Sequence, residues 1–277
     1  MYYNFNGHLF PNEQAAVGPG NRGLRYGDGL FETMRLFHGK LQWADEHFAR
    51  LWKGMQTLHF AIPKHFSPEV LTQQIIQTAK KNGHDRHARI RLTIIRGSGG
   101  LYDAISHQPN YLIETWLLQP ETGEWNSNGL VVGIYEEVRK MADRVANLKH
   151  NNFLPYVMAA LHAQQEKWND ALVLNHFGTI CDSTIANVFA VKEGNVFTPA
   201  LSQGCIAGIV REQMIHHIKQ QGITIVECEM TTDWLLKADE VFLTNSISWM
   251  RWVREIGDAT YGCAIAHQIY SSFRSTF

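Results

Sequence analysis

The sequence predicts a mixed α/β (α+β) chain in two domains, and three observations point there. Helix-period and strand-period segments alternate along its 277 residues. A polar stretch from Gln119 to Gly129 carries Pro120, two glycines and Asn126-Ser127-Asn128, and it interrupts that alternation. Hydrophobic residues make up 45% of the chain, enough for one large core or two smaller ones. The expected boundaries are a small N-terminal domain at 1–119, a linker at 120–128 and a larger domain at 129–277.

The elements follow in order. Leu30 to Phe37 reads as a strand ended by the turn His38-Gly39-Lys40. Asp45 to Leu58 reads as a helix, with Phe48, Leu51, Met55 and Leu58 on one face. Ser67-Pro68-Glu69 starts a second helix, with Ser67 as N-cap and Pro68 in the first turn, and Asn82-Gly83 stops it. Arg89 to Ile95 and Tyr111 to Leu118 read as strands. Beyond the linker, Leu130 to Tyr135 is expected as a strand, Phe153 to Trp168 as a helix and Ala171 to Asn175 as a strand. Asn187 to Val191 and Asn195 to Thr198 should pair across Glu193-Gly194 as a hairpin. Ile209 to Gln221 reads as a helix because Ile206, Val210, Met214 and Ile218 recur every four residues. Ile223 to Cys228 and Glu240 to Thr244 read as strands, and Ala264 to Phe273 as a closing helix.

Composition narrows the function. Charged residues are 18% of the chain, well mixed, with a net charge of −1, so a nucleic-acid partner is not expected. No run of about 18 apolar residues exists, so no membrane span is expected. The start, Met1-Tyr2-Tyr3-Asn4, lacks a signal-peptide pattern, and Cys181, Cys205, Cys228 and Cys263 are widely spaced. Reduced thiols in a cytoplasmic protein are the expectation.

Several patterns carry no chemistry. Gly18-Pro19-Gly20-Asn21-Arg22-Gly23 matches a dinucleotide fingerprint in letters only, since no strand is expected before it and no helix after it. His84 and His87, or His216 and His217, lack a third ligand at zinc spacing, so no metal is expected. No G-x-S-x-G elbow is present for a serine hydrolase.

Four segments stand out together. The first is Tyr26-Gly27-Asp28-Gly29-Leu30-Phe31-Glu32-Thr33 with Arg35, then Leu41, His47, Arg50 and Leu51. The second is Leu148-Lys149-His150-Asn151-Asn152-Phe153-Leu154. The third is Asp170 to Leu174, Gly178, Asp182 and Asn187-Val188-Phe189. The fourth is Gly204 and Gly208-Ile209-Val210-Arg211, with Ala238 to Ser246 downstream. In this order and spacing the chain resembles the class IV, or fold type IV, pyridoxal-phosphate (PLP) enzymes. That family holds branched-chain aminotransferases, D-amino acid aminotransferases and aminodeoxychorismate lyases. The resemblance runs from Asn6-Gly7 to about Val253. It implies a small α/β domain followed by a larger β-barrel-like domain with helices, a homodimer, and a small amino-acid-like substrate.

The resemblance also implies roles. Lys149, which precedes Asn152 and Leu154 as the family lysine does, would hold PLP as a Schiff base and serve as base and acid. Asp182 would sit beside the ring nitrogen, where the family usually has Glu; it keeps the charge and loses one methylene. Arg50 would hold the phosphate with its planar fork, joined by backbone N–H groups at Ile209 and Val210 and by the loop at Asn245 and Ser246. Val210 stands where branched-chain aminotransferases often carry Thr. Arg96-Gly97-Ser98-Gly99-Gly100-Leu101-Tyr102 is similar to a loop of aminodeoxychorismate lyases, short by one residue. The Ser248 to Trp252 stretch is unlike them. Arg96 and Arg251 are the candidate substrate-binding residues. The expected activity is that of an aminodeoxychorismate lyase, expelling pyruvate to give 4-aminobenzoate for folate synthesis. The alternatives are a class IV aminotransferase of branched-chain or other amino acids and a family member that has lost catalysis and only binds.

Overall fold

The computed structural model describes residues 1–276. It divides into two compact units, one of Met1–Thr122 with Leu148–Asn152, the other of Gly123–Asn147 with the chain from Phe153 onward. The five residues around Lys149 therefore belong with the first unit, although boundaries at 119 and 129 place them in the second.

The first unit holds strands β1 (Tyr2–Phe5), β2 (His8–Pro11), β3 (Gly29–Phe37), β4 (Lys40–Leu41), β5 (His87–Arg96) and β6 (Pro109–Leu117). They form one antiparallel sheet in the order β2-β1-β6-β5-β3-β4. Alternation decides the faces. Leu30, Met34 and Leu36 stand opposite Ile94, Ile90 and Ala88 and pack with helices α2 (Ala44–Thr57) and α3 (Pro68–Lys81). Leu71 and Ile75 of α3 are fully buried there, so truncating either to Ala costs about 2–5 kcal/mol. Ser67 caps α3 as expected, its hydroxyl accepting from Val70 N at 3.4 Å, with Pro68 in the first turn. Phe31, Thr33, Arg35 and Phe37 point to the other face with Thr93, Arg91, Arg89 and His87. A short helix, α1 (Arg22–Tyr26), begins inside the Gly18–Gly23 motif, capped by the Asn21 side chain. The expectation of no helix there is corrected: Asn21 supplies an N-cap that the glycine spacing hid.

The second unit is a nine-stranded mixed sheet. Its elements are β7 (Leu130–Lys140), α4 (Leu154–Gln165), β8 (Asp170–Asn175), β9 (Ile180–Ser183), β10 (Asn187–Lys192), β11 (Asn195–Pro199), α5 (Ile209–Gln220), β12 (Ile225–Cys228), α6 (Thr232–Leu235), β13 (Glu240–Asn245), β14 (Trp249–Ile256), β15 (Ala259–Thr260) and α7 (Ala264–Arg274). The order is β12-β11-β10-β13-β14-β7-β8-β9, with β15 beside β14. The sheet curls until β9 also lies against β10 and β11. Two parallel pairs, β7–β8 and β11–β12, are joined through helices α4 and α5, the crossover that parallel pairing requires. The β10–β11 hairpin turns at Glu193 and Gly194, both at positive φ (50° and 76°), as a two-residue I′ turn demands. The Ser248 to Trp252 stretch enters strand β14, with Trp249, Met250 and Trp252 buried.

Candidate active site

In the first unit the Lys149 segment runs antiparallel to the start of β3. Phe31 N donates to Lys149 O at 2.8 Å, and Asn151 N donates to Gly29 O at 3.0 Å. This fills the part of the β3 edge that the two-residue β4 leaves uncovered. Gly29 is required by the close approach, since a Cβ there would lie 2.0 Å from Ile94 O and 2.5 Å from Asn151 Nδ2. Lys149 is half-buried. Its Nζ lies 4.5 Å from the centroid of the Phe31 ring. Lys149 and Arg50 line one cavity with Phe31, Glu32, Leu51 and Leu148.

Arg50 reaches that cavity from α2. Glu32 sits on the inward face of β3, among apolar residues, and its carboxylate is met by two α2 side chains. His47 Nδ1 lies 2.7 Å from Oε2, while Arg50 donates through Nε to Oε1 at 2.8 Å and through Nη2 to Oε2 at 2.5 Å. Positions 47 and 50 are three apart and so share a helix face. Burial pushes the Glu32 carboxyl up, but the Arg50 guanidinium and the His47 contact outweigh it and hold it at about 2. Burial drives His47 below its usual range and so keeps the ring neutral. A neutral ring that donates from Nδ1 to Glu32 turns a bare Nε2 elsewhere, and that nitrogen is buried without a partner.

Arg96 is engaged by neighbours within the first unit. Its Nε donates to Asp28 Oδ2 at 2.9 Å, Nη1 to His59 O at 3.2 Å and Nη2 to Leu58 O at 2.5 Å, with His107 Nδ1 3.0 Å from Nη1. It is buried, and each of its three nitrogens already has a partner within the first unit. Arg91 is a second guanidinium on the Phe31 ring: its Cζ lies 3.9 Å from the centroid of the ring that Lys149 also contacts.

The second unit carries Asp182 at the end of β9, wholly buried among donors. Its Oδ2 accepts from Tyr156 OH at 2.7 Å, Ile206 N at 3.0 Å and Lys140 Nζ at 3.3 Å. Its Oδ1 accepts from Asn187 Nδ2 at 2.8 Å. Burial raises the carboxyl, and the Lys140 ammonium leads the groups that pull it back down. Asn187 begins β10 opposite Thr244 of β13, so both side chains share a sheet face. Gly208, the N-cap of α5, packs on Asn187; a Cβ there would lie 1.9 Å from Asn187 Oδ1. Gly208 offers no side-chain cap, so the N–H groups of Ile209 and Val210 face outward at the start of a 12-residue helix, which favours an anion. The buried Thr244 hydroxyl has no partner. Asn245 Oδ1 accepts from Ile247 N, Ser248 N and Ser248 Oγ and so builds the turn that carries Ser246. Arg251 pairs with Leu243, which puts it on the strand face opposite Thr244, away from this group.

The first unit pairs an amine with a guanidinium whose fork is fixed by a buried carboxylate. The second offers an uncapped helix start, an orphan hydroxyl at Thr244 and a carboxylate with a lone pair left on Oδ1. Taken within its own unit, each group is of a kind that PLP asks for: an amine for the aldehyde, an anion seat for the phosphate and a buried carboxylate for the ring nitrogen. The structure adds Glu32, His47, Lys140, Tyr156, Asn187 and Thr244 as partners or neighbours of the candidate residues, and Arg91 on the Phe31 ring; the sequence reading gave none of them a role. Glu32 could have been found, because a carboxylate at an inward position of an apolar strand needs a reason.

Residues 29–256 match the family model for class IV aminotransferases. An aminodeoxychorismate lyase of Vibrio harveyi is 30% identical over 84% of this chain and 85% of its own length. A putative branched-chain-amino-acid aminotransferase of Methanocaldococcus jannaschii is 31% identical over 89% of this chain and 84% of its own. In fold, the branched-chain aminotransferase of Thermoproteus uzoniensis superposes with a TM-score of 0.88 at 24% identity, covering 99% of this chain and 93% of that one. With its family matched over most of its length, the chain belongs to the class IV aminotransferases, a family of PLP-dependent enzymes.

Proposed function

We propose that the chain acts at the α-carbon of a small amino-acid-like substrate as an aminodeoxychorismate lyase, releasing pyruvate and 4-aminobenzoate for folate synthesis. PLP, when bound, supplies an electron sink that stabilises negative charge at that carbon. Lys149 Nζ holds the cofactor and then moves protons to and from the substrate. Arg50, with its fork set by Glu32, holds the phosphate, joined by the Ile209 and Val210 amides, Ser246 and the Asn245 turn. Asp182 serves the ring nitrogen. Arg91, rather than Arg96 or Arg251, holds a substrate carboxylate.

The observation that carries this reading is the pair of cations over the Phe31 ring, one a primary amine and one a guanidinium. An amine suits a lysine-anchored cofactor, a guanidinium suits a carboxylate substrate, and both address that one ring. The similarity to the Vibrio harveyi lyase supports the reaction class. The 31% identity to the putative archaeal aminotransferase supports a second reading, transamination of branched-chain or other amino acids.

We also place the enzyme in the cytoplasm as a homodimer. All four cysteines are free thiols. Leu154, Val157, Met158 and Leu161 of α4 are between 41% and 71% exposed and recur at helical spacing, an apolar stripe suited to burial against a second copy.

The test begins with the absorption spectrum after incubation with PLP and removal of the excess. Wild type should show a near-visible band that Lys149→Ala abolishes; a colourless wild type would leave a fold that binds without this chemistry. Aminodeoxychorismate is then offered against amino acids with 2-oxoglutarate, and 4-aminobenzoate or glutamate names the reaction.

A further inference from the structure

Asp182 is one methylene shorter than glutamate, fully buried, and still expected to face a cationic ring. A carboxylate in that setting is pulled toward its neutral form unless a charge stands beside it. The chain builds one. Strand β7 pairs with β8 in regular parallel register as far as Tyr135 opposite Val173, so position 137 would next stand opposite Asn175. Lys140 stands there instead. Three extra residues are accommodated in β7, an irregularity of the kind that re-aims side chains next to active sites. It carries the Lys140 ammonium, 5% exposed, into the interior.

Inside, Lys140 Nζ donates to Tyr156 OH at 2.6 Å and to Asp182 Oδ2 at 3.3 Å, and Tyr156 OH donates to the same oxygen at 2.7 Å. With the Ile206 amide also on Oδ2, that oxygen is fully engaged, while Oδ1 accepts from Asn187 alone. Tyr156 remains a donor: burial first, then the Asp182 charge, push its hydroxyl well above the usual range. The other titratable groups facing Asp182 are Cys181 and Cys205. Burial raises both thiols, Cys205 to about 12, so they stay neutral. The positive charge at Asp182 therefore comes from Lys140.

We infer that Lys140 and Tyr156 are positioning residues for Asp182, keeping its carboxylate charged and committing Oδ2 so that Oδ1 is the oxygen left for a ligand. This rests on the reading of the site as a PLP site.

The test has a readout that needs no cofactor. In apo protein carrying carbon-13-labelled aspartate carboxyls, the Asp182 resonance is titrated in wild type, Lys140→Met and Lys140→Arg. Removing the ammonium should move the midpoint up by about one to three pH units, and Lys140→Arg should bring it back. Should Lys140→Met fold poorly, Lys140→Gln, which keeps a donor and loses the charge, carries the same prediction. In PLP-loaded protein, Lys140→Met should weaken cofactor retention by about tenfold, the scale on which outer partners tune a binding group. A midpoint unmoved by these variants overturns the assignment. Absence of a near-visible band in wild type overturns the cofactor reading instead, whatever the carboxyl does.

Discussion

The two units each bury a carboxylate beside a cation, and they use the pair in opposite senses. In the first, Glu32 serves Arg50. Two contacts from α2 hold the carboxyl at about 2, and the result is a guanidinium with a fixed fork. In the second, Lys140 serves Asp182. Burial leads and the carboxyl is raised, so the ammonium is what limits the rise. A bidentate arginine suits the first task, because its geometry is the product. A lysine suits the second, because a compact charge on a flexible stem can share itself between a hydroxyl and a carboxylate. Buried pairs of a carboxylate and a cation thus need not have the same function.

The largest test of this contrast is Glu32→Gln. It keeps the shape and strands Arg50 beside a neutral amide in a buried site, and should destabilise the protein by about 3 kcal/mol in chemical denaturation. The pH dependence sharpens it. Glu32 has a folded value of about 2 against an ordinary 4.5, so the unfolded chain binds more protons between those values. Its stabilisation is present above pH 4.5 and is lost as pH falls toward 2. A melting-temperature profile of wild type should fall through that window more steeply than one of Glu32→Gln; parallel profiles would break the comparison.

Next in size is Asp182→Glu. It restores the residue that the family usually has, yet Oδ2 is already engaged by three donors. The added methylene should overpack the site and cost about 1–3 kcal/mol. A stabilised Asp182→Glu protein would show that Lys140 and Tyr156 are not fitted to the shorter side chain. The smallest effect is that of Tyr156→Phe. It removes one neutral donor and leaves the ammonium, so stability should fall by about 1 kcal/mol, with cofactor retention changed less than in Lys140→Met.

Much of this was legible in the sequence. Periodicity located α2, α3, α5 and most strands, because their apolar faces repeat over three or more turns or pleats. It missed β1, β2 and β9, which are four residues long, too short for a period to declare itself, and it missed the eight-residue β14, whose two Trp and two Arg mask the alternation. Lys149, Arg50 and Asp182 are proposed from the sequence because each sits in a local motif that resembles the family's. Lys140 is not, because its position depends on three residues of slack in one strand, which no spacing rule encodes. Arg96 shows the same limit: a motif shows that a guanidinium is present and is silent about Asp28, which is 68 residues away and takes hold of it.

The five residues Leu148–Asn152 have a consequence for how the molecule is made. The chain passes from one unit to the other at 122, returns at 147 and leaves again at 152, so neither unit is a continuous stretch of polypeptide. A ribosome that has released only the first 122 residues has produced a sheet whose β3 edge at Gly29–Phe31 lacks its neighbour, an open template for pairing with another chain. That edge closes only when Lys149 itself has emerged. The lysine segment is thus also a late-arriving seal, and a fragment cut at the apparent domain boundary should be prone to aggregate where the full chain is not.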